Sequence, residues 1–509
     1  MRPGLVGLDC GTQSMRALLA DDAGRTLALA ARPTPTIPVA PGQAEHAPEA
    51  LWQTVLALLT EIAAALPADM AVAGIACASM GEACVLLDAA DRPVGPCITW
   101  FDRRTEPDAA LLEAEIGAAR LFTIAGLPPD PTLTLCKLLW HRRTDPDGFA
   151  RVRRVLNLAD FIAFRLSGEG ATDPSLASRT GLLDIAAGDW SAELPVRTGI
   201  DPALLPPIRP SGTRLGAVRP QVLAATGLRG RPVAGVGGHD HVVGGFAAGA
   251  VRPGVLLDSI GTAEALLRTV PRPLLTEATR PLGFWQGLIG LDRGFAYLGA
   301  SINRAGGAIE WLAALLGQAP RAALIAEAEA LPVGSRGTLF LPHLAYATPP
   351  VVDVAARGAF LGLTAGTERG ALVRALLEGL AMEARLAVDA LSALEGAGPP
   401  EDIRMIGGGT RNDLLLRIKA AVYARELTVI EEPEATALGA ALLGGIAAGL
   451  WPDLAAALGA IAQPRRVIAP DPQWMSGYAE LFTEVYARAY PALAPLGHAL
   501  TRYDRRHPR

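Results

Sequence analysis

The chain has 509 residues, half of them hydrophobic and 19% charged, with a net charge of −5. That length implies two or more domains, and that composition excludes intrinsic disorder as the main state. Slight acidity and a 5% aromatic content exclude a basic nucleic-acid face or a base-stacking platform.

Met1-Arg2-Pro3-Gly4 leads straight into a strand-like run, with no signal-peptide pattern. The first apolar run, Leu5-Val6-Gly7-Leu8-Asp9, meets a Gly-Thr turn at Cys10-Gly11-Thr12-Gln13-Ser14. A second run follows from Met15 to Ala20, which predicts a β-hairpin. Residues 32–41 and 202–210 are proline-rich and read as surface loops. Residues 49–66 carry helical spacing, with Leu51, Val55, Leu58, Leu59 and Ile62 on one face, and Val72 to Cys77 reads as a strand. The five cysteines, Cys10, Cys77, Cys84, Cys97 and Cys136, are odd in number and form no C-x-x-C. They read as reduced thiols in a cytoplasmic protein.

Val233 to Val236 is a strand that ends in Gly237-Gly238 and presents His239-Asp240-His241 at a helix start. A second Gly-Thr hairpin follows: Val255-Leu256-Leu257-Asp258-Ser259, then Ile260-Gly261-Thr262-Ala263-Glu264, then Ala265-Leu266-Leu267. Two copies near half-chain spacing imply two domains of one design, with the boundary near residues 245–254. Residues 370–394 and 412–425 read as helices, and Ile403-Arg404-Met405-Ile406 as a strand entering Gly407-Gly408-Gly409. The uncharged stretch 435–452 reads as a close-packed buried helix, not a membrane span. Strands alternating with helices make this an α/β protein.

Of 46 basic residues only Lys137 and Lys419 are lysine, and neither stands in a Gly-Lys-Ser/Thr context, which excludes a Walker-A phosphate loop. Gly-Thr turns offer another device: backbone N–H groups and a hydroxyl converging on an anion. Asp9, at the end of the first strand, is placed to hold Mg²⁺. Asp258, read as its counterpart in the second copy, is expected to cap its turn. Asp240 is placed to accept a proton from a substrate hydroxyl, with helix capping as the plainer alternative. His239 and His241 are expected to position or hydrogen-bond, not to bind metal. Gly407-Gly408-Gly409-Thr410-Arg411-Asn412 fails the dinucleotide spacing, since Asn412 stands where the third glycine would be.

Taken in order, these residues resemble the FGGY carbohydrate kinases of the sugar kinase/Hsp70/actin superfamily. Asp9-x-Gly11-Thr12-x-Ser14-x-Arg16 resembles the first phosphate motif, Gly238-His239-Asp240 the catalytic-Asp motif and Ser259-Ile260-Gly261-Thr262 the second phosphate motif. Residues 356–363 and 374–379 are similar to the C-terminal signature, and Lys137-Leu138-Leu139-Trp140 to part of the N-terminal one, with His141 where an apolar residue is usual. The resemblance implies two ribonuclease H-like (actin/hexokinase-type) α/β domains with a cleft between them. It places them at 1–247 and 248–509, with a C-terminal helix at about 470–497. It implies ATP contacts from Gly11, Thr12, Gln13, Ser14, Arg16, Gly261, Thr262, Gly306, Glu310, Gly408, Gly409 and Asn412, with Mg²⁺ at Asp9 and Asp240. Asp240 is then the catalytic base and a substrate contact, and Glu82, Trp100, Asp102 and Arg103 are sugar contacts.

Gly81-Glu82 stands where glycerol kinases carry Arg-Glu and xylulokinases Met-His. Ala345-Tyr346-Ala347-Thr348-Pro349-Pro350 replaces the family's usual Gly-Glu-Arg segment, and Ala371 takes a position that is usually polar. The implied reaction is ATP-dependent phosphorylation of a ketopentose, xylulose- or ribulose-like, on a primary hydroxyl. The alternatives are a polyol such as erythritol, xylitol or glycerol, or a non-enzymatic ATP-switched protein. The expected partner is a small sugar or polyol, without nucleic acid or membrane, and with a homodimer as an open option.

Overall fold

The computed structural model describes every residue except Thr262, Asp292, Arg293, Arg304, Pro508 and Arg509. Its N-terminal sheet contains β1 (Arg2–Cys10), β2 (Ser14–Asp21), β3 (Thr26–Pro33), β4 (Met70–Ser79), β5 (Arg214–Ala217), β6 (Gly230–Gly235) and the short β7 (Gly238–His239). The order is β5-β6-β4-β1-β2-β3, with β7 beside β4. The C-terminal sheet contains β8 (Val255–Ile260), β9 (Glu264–Val270), β10 (Trp285–Leu288), β11 (Ala296–Ile302), β12 (Asp402–Ile406), β13 (Leu427–Ile430) and β14 (Arg465–Ile468), in the order β10-β11-β9-β8-β12-β13-β14.

Both sheets follow one plan. A hairpin (β1–β2, β8–β9) and the strand beyond it (β3, β11) are antiparallel. The first hairpin strand then pairs in parallel with β4 or β12, which pairs in parallel with β6 or β13, and an antiparallel strand closes each sheet. The two-domain ribonuclease H-like architecture is thus a duplication around the two Gly-Thr hairpins.

The helices are α1 (Pro48–Ala65), α2 (Thr134–Thr144), α3 (Asp240–Ala247), α4 (Ala305–Leu315), α5 (Arg369–Ser392), α6 (Asp413–Tyr423) and α7 (Ala435–Ala447). Of these, α1, α3, α5, α6 and α7 pack on these sheets, α4 packs on α5, and α2 sits in a separate apolar cluster with Leu86 and Leu112. In α1 the predicted stripe Leu51, Val55, Leu58, Leu59 and Ile62 is buried. Within the predicted stretch 435–452, residues 435–447 form a buried helix, α7, which crosses to the N-terminal sheet and ends before the partly exposed 448–452. A Cβ on Gly7 would lie 1.8 Å from the Ala437 carbonyl oxygen, and one on Gly74 1.9 Å from that of Gly444, so only glycine admits this approach. One apolar core therefore spans both domains, taking in Leu5 and Ala76, Phe246 and Leu438, and Leu257 and Leu267. It brings the N-termini of α3 and α7 to one cleft, where the partial positive ends of both helices favour anions.

Two predicted bounds change. Residues 32–41 include an exposed strand, Ile37–Ala40, because its hydrogen bonds close on Gln43–His46. The C-terminal helical stretch runs longer than 470–497, through α8 (Pro472–Leu481) and on into α9 (Ala487–Arg506), whose last turn is tied down by Asp504 to Arg357. No described helix is long and apolar enough to cross a membrane.

Candidate active site

The turn joining β1 to β2 places Asp9 opposite Arg16 and Cys10 opposite Met15. Gly11 N–H donates to Ser14 O at 3.1 Å, closing the turn, so this donor is engaged within the turn, whose tip is Thr12 and Gln13. The β8–β9 turn is one residue tighter: Ile260 pairs Glu264, and Gly261 N–H donates to Ala263 O at 2.9 Å. Thr262, expected here as a phosphate contact, lies outside the described residues.

Asp258 does not match its expectation. Counting from the glycines, Asp9 corresponds to Ser259. Asp258 is one step earlier and points to the opposite sheet face. It is fully buried and bonds Lys419 Nζ at 2.8 Å.

The two turns face each other. Gln13 and Gly261 line one cavity of about 570 Å³ together with Gly306, Glu310, Gly408 and Gly409. Asp9, Arg16, Ser259 and Gly261 line an adjoining one of about 330 Å³, closed by Glu434 and Thr436 at the start of α7. Gly409 is needed for closeness: a Cβ there would meet Ile260 Cγ2 at 2.2 Å, whereas one on Gly408 would meet nothing within 4 Å. Asn412 caps α6 through Oδ1 to Leu415 N–H at 3.2 Å. Its Nδ2 has no partner among the described residues, and it opens onto a further groove with Arg411 and Arg466. Glu310 is exposed and pairs with Arg321 at 3.1 Å.

Two carboxylates meet at the seam. Asp240 opens α3 with its side chain 23% exposed, its Oδ1 3.3 Å from His239 Nε2. Burial raises its pKa, with Glu82 adding to the effect and His241 opposing it. Asp9 is pushed up to about 7, by burial first and then by Asp240, against the pull of Arg16. Arg16 lies 3.5 Å from Asp9 and 3.3 Å from Glu434, joining the first turn to α7. His239 is held far below the usual histidine range by burial and by His241, so it acts as a neutral ring.

Two hard-oxygen carboxylates, both pushed up by burial and Asp9 also by Asp240, are short of positive charge, which fits a divalent cation completed by phosphate and water oxygens. No group of three or more His, Cys, Asp or Glu ligands exists among the described residues. Asp9 and Asp240 would hold the ion as a pair.

On the sugar side, Glu82 has a left-handed backbone (φ 58°), fixed by Lys137 Nζ donating to its carbonyl at 2.7 Å. Its carboxylate pairs with Arg179. Trp100 is 39% exposed, and its Nε1–H donates to Thr12 Oγ1 at 2.8 Å, binding the sugar-side loop to the phosphate turn. Asp102 and Arg103 are placed differently from Trp100 and from each other. Asp102 is fully buried and receives Ala44 N–H and Arg104, so it braces the loop from inside. Arg103 is exposed and pairs with Glu106 at 2.6 Å. Arg179 escaped sequence reasoning. Its only signal is a polar run, Ser178-Arg179-Thr180, between Leu176 and Leu182.

The N-terminal domain of the FGGY family of carbohydrate kinases matches residues 5–247, and its C-terminal domain matches residues 256–448. The chain belongs to this family. As an FGGY kinase it is an ATP-dependent kinase of a sugar or polyol. The FGGY chain is 35% identical over 474 residues to a glycerol kinase from Gloeobacter violaceus, covering 89% of each. It is 26% identical over 456 residues to a gluconokinase from Bacillus subtilis, covering 87% of this chain and 88% of that one. A solved xylulose kinase from Rhodospirillum rubrum superimposes with a TM-score of 0.85 at 31% identity, over 97% of this chain and all of that one.

Proposed function

We propose that this FGGY kinase phosphorylates a ketopentose of the xylulose or ribulose type on a primary hydroxyl, with Asp240 as general base. The observation that carries the reading is the position of Asp240. It is a partly exposed carboxylate at a helix start, beside Glu82 on the sugar side and Asp9 on the phosphate side. A raised carboxyl pKa suits a group that must take a proton as the oxygen attacks. Phosphoryl transfer asks the protein mainly for positioning and charge stabilisation. Backbone donors at Thr12 and Gln13 serve the transferring group, and so does the Thr12 hydroxyl. By accepting from Trp100 that hydroxyl keeps its own O–H free to donate. Mg²⁺ on Asp9 and Asp240 would supply charge neutralisation along the phosphates. Closure of the two domains would exclude water and limit idle ATP hydrolysis.

The likeness to a xylulose kinase supports a ketopentose, and the 35% identity to a glycerol kinase supports a polyol as the second reading. Five buried, unpaired cysteines support a reducing, cytoplasmic setting. Asp240→Asn tests the assignment. Sugar-dependent ADP release should fall about 10²–10⁴-fold while ATP affinity by calorimetry stays within about twofold. Near-normal turnover in that variant would remove Asp240 from the chemistry.

A further inference from the structure

Beside Asp240 the cleft holds a cation that no motif marks. Arg179 Nε donates to Glu82 Oε1 at 2.7 Å, and a second guanidinium nitrogen, Nη2, lies 2.5 Å from the same oxygen. The guanidinium lies over the Trp285 ring at 5.0 Å, which holds its plane. The guanidinium also neighbours the fully buried Tyr297 hydroxyl, and its third nitrogen, Nη1, is itself buried away from the cleft. Both arginine nitrogens go to Oε1, which leaves Glu82 Oε2 for another donor. Gly81 makes the arrangement possible: a Cβ there would meet Arg179 Cγ at 3.1 Å and the His239 ring at 3.2 Å. Arg179 and His239 converge on the peptide that carries Glu82, next to Asp240.

The charges around this point are already matched or negative. Arg179 is taken by Glu82, Arg16 by Asp9 and Glu434, Arg103 by Glu106, and Arg104 by Asp102 and Glu45. Lys137 is spent on a backbone carbonyl and His239 is neutral. Asp240 and Asp9 add negative charge, opposed by His241 at the first and Arg16 at the second. A substrate carboxylate at Glu82 would come to rest among carboxylates, where among the described residues Arg179 and Lys137 are already engaged. A substrate hydroxyl can donate to Glu82 Oε2, which Arg179 holds in place through Oε1.

We propose that Arg179 is a positioning residue that holds Glu82 Oε2 ready to accept from a substrate hydroxyl, and that the pair selects a neutral polyhydroxy substrate, a ketose or polyol, and rejects aldonates. This rests on reading the Asp240 cleft as the acceptor site.

The test uses the full chain and ADP release with glycerol, xylitol, D-xylulose, D-ribulose, D-gluconate and D-xylonate. The best neutral compound should exceed the best aldonate at least about 100-fold in kcat/KM, as expected when a site built around hydroxyls meets an unmatched charge. Arg179→Met should raise KM for that neutral compound about tenfold and leave KM for ATP within about twofold. Arg179→Lys should recover part of the loss. Should Arg179→Met fail to fold, Gly81→Ala displaces the same guanidinium and should raise the same KM. An aldonate as best substrate, or variants with unchanged sugar KM, overturns the inference and leaves the kinase reading standing. Silence on all six compounds overturns both.

Discussion

Lys419 Nζ lies 2.8 Å from Asp258 Oδ2 and 2.6 Å from Glu264 Oε1, all three side chains fully buried. One ammonium thereby ties both strands of the second phosphate hairpin to α6 beneath it, with Tyr423 closing the group at 3.2 Å. Glu264 also lines the nucleotide-side cavity. The chain's other lysine does the parallel task on the sugar side, fixing the Glu82 carbonyl.

Lys419→Met should therefore cost about 3–5 kcal/mol of stability, because it leaves two buried carboxylates without a cation. It should also raise KM for ATP, since the strand that ends at the second turn loses its anchor. Adding Asp258→Asn and Glu264→Gln should recover most of the stability loss, as removing a whole buried ion group costs less than breaking it. Urea denaturation of the single and triple variants measures both effects. A wild-type midpoint for Lys419→Met would show that the cluster is not a clamp.

The two hairpins are legible in the sequence because a Gly-Thr turn between apolar runs is a local signal, and its repetition at half-chain spacing marks the duplication. The facing of the two turns follows from the same repeat. Asp258 was misplaced by a single step, and in a strand one step exchanges core for cleft. Asp102 was implied as a sugar contact by the family resemblance of the segment around Trp100, yet it is buried, and its oxygens serve Ala44 and Arg104. Arg179 was invisible for a different reason: Glu82 lies 97 positions away in sequence, and only the fold brings them together. The two lysines stood out by rarity, but their buried partners are likewise distant.

His141 occupies the position where an apolar residue was expected, and it is 5% exposed. Burial holds its pKa down to about 4, against a model-peptide value of 6.5. Above pH 6.5 the ring is neutral in both folded and unfolded chains and has no effect on the pH slope. As pH falls from 6.5 towards 4 the unfolded chain takes up the proton first, so stability drops, by up to about 3 kcal/mol. His141→Gln should remove that part of the acid sensitivity. Urea midpoints of both proteins at pH 7 and pH 4.5 measure it, and an identical fall in the two would show that His141 titrates normally.

Trp100 and Thr12 sit 88 positions apart and meet through one hydrogen bond of 2.8 Å. The indole N–H is half the link between the sugar-side loop and the first phosphate turn, and it also orients the Thr12 hydroxyl towards the cleft. Trp100→Phe keeps an apolar wall and removes only the donor, so a loss of about 1 kcal/mol, or about fivefold in kcat/KM, is expected. Thr12→Val removes both the acceptor and the O–H proposed to serve phosphate, and should lower kcat further. If the two act as one link, the double variant should be no worse than Thr12→Val alone, since the indole then has nothing left to orient. Steady-state kinetics with ATP and sugar varied separately decide this. Strictly additive losses would mean that Trp100 only lines the pocket and that the two halves of the site are set independently.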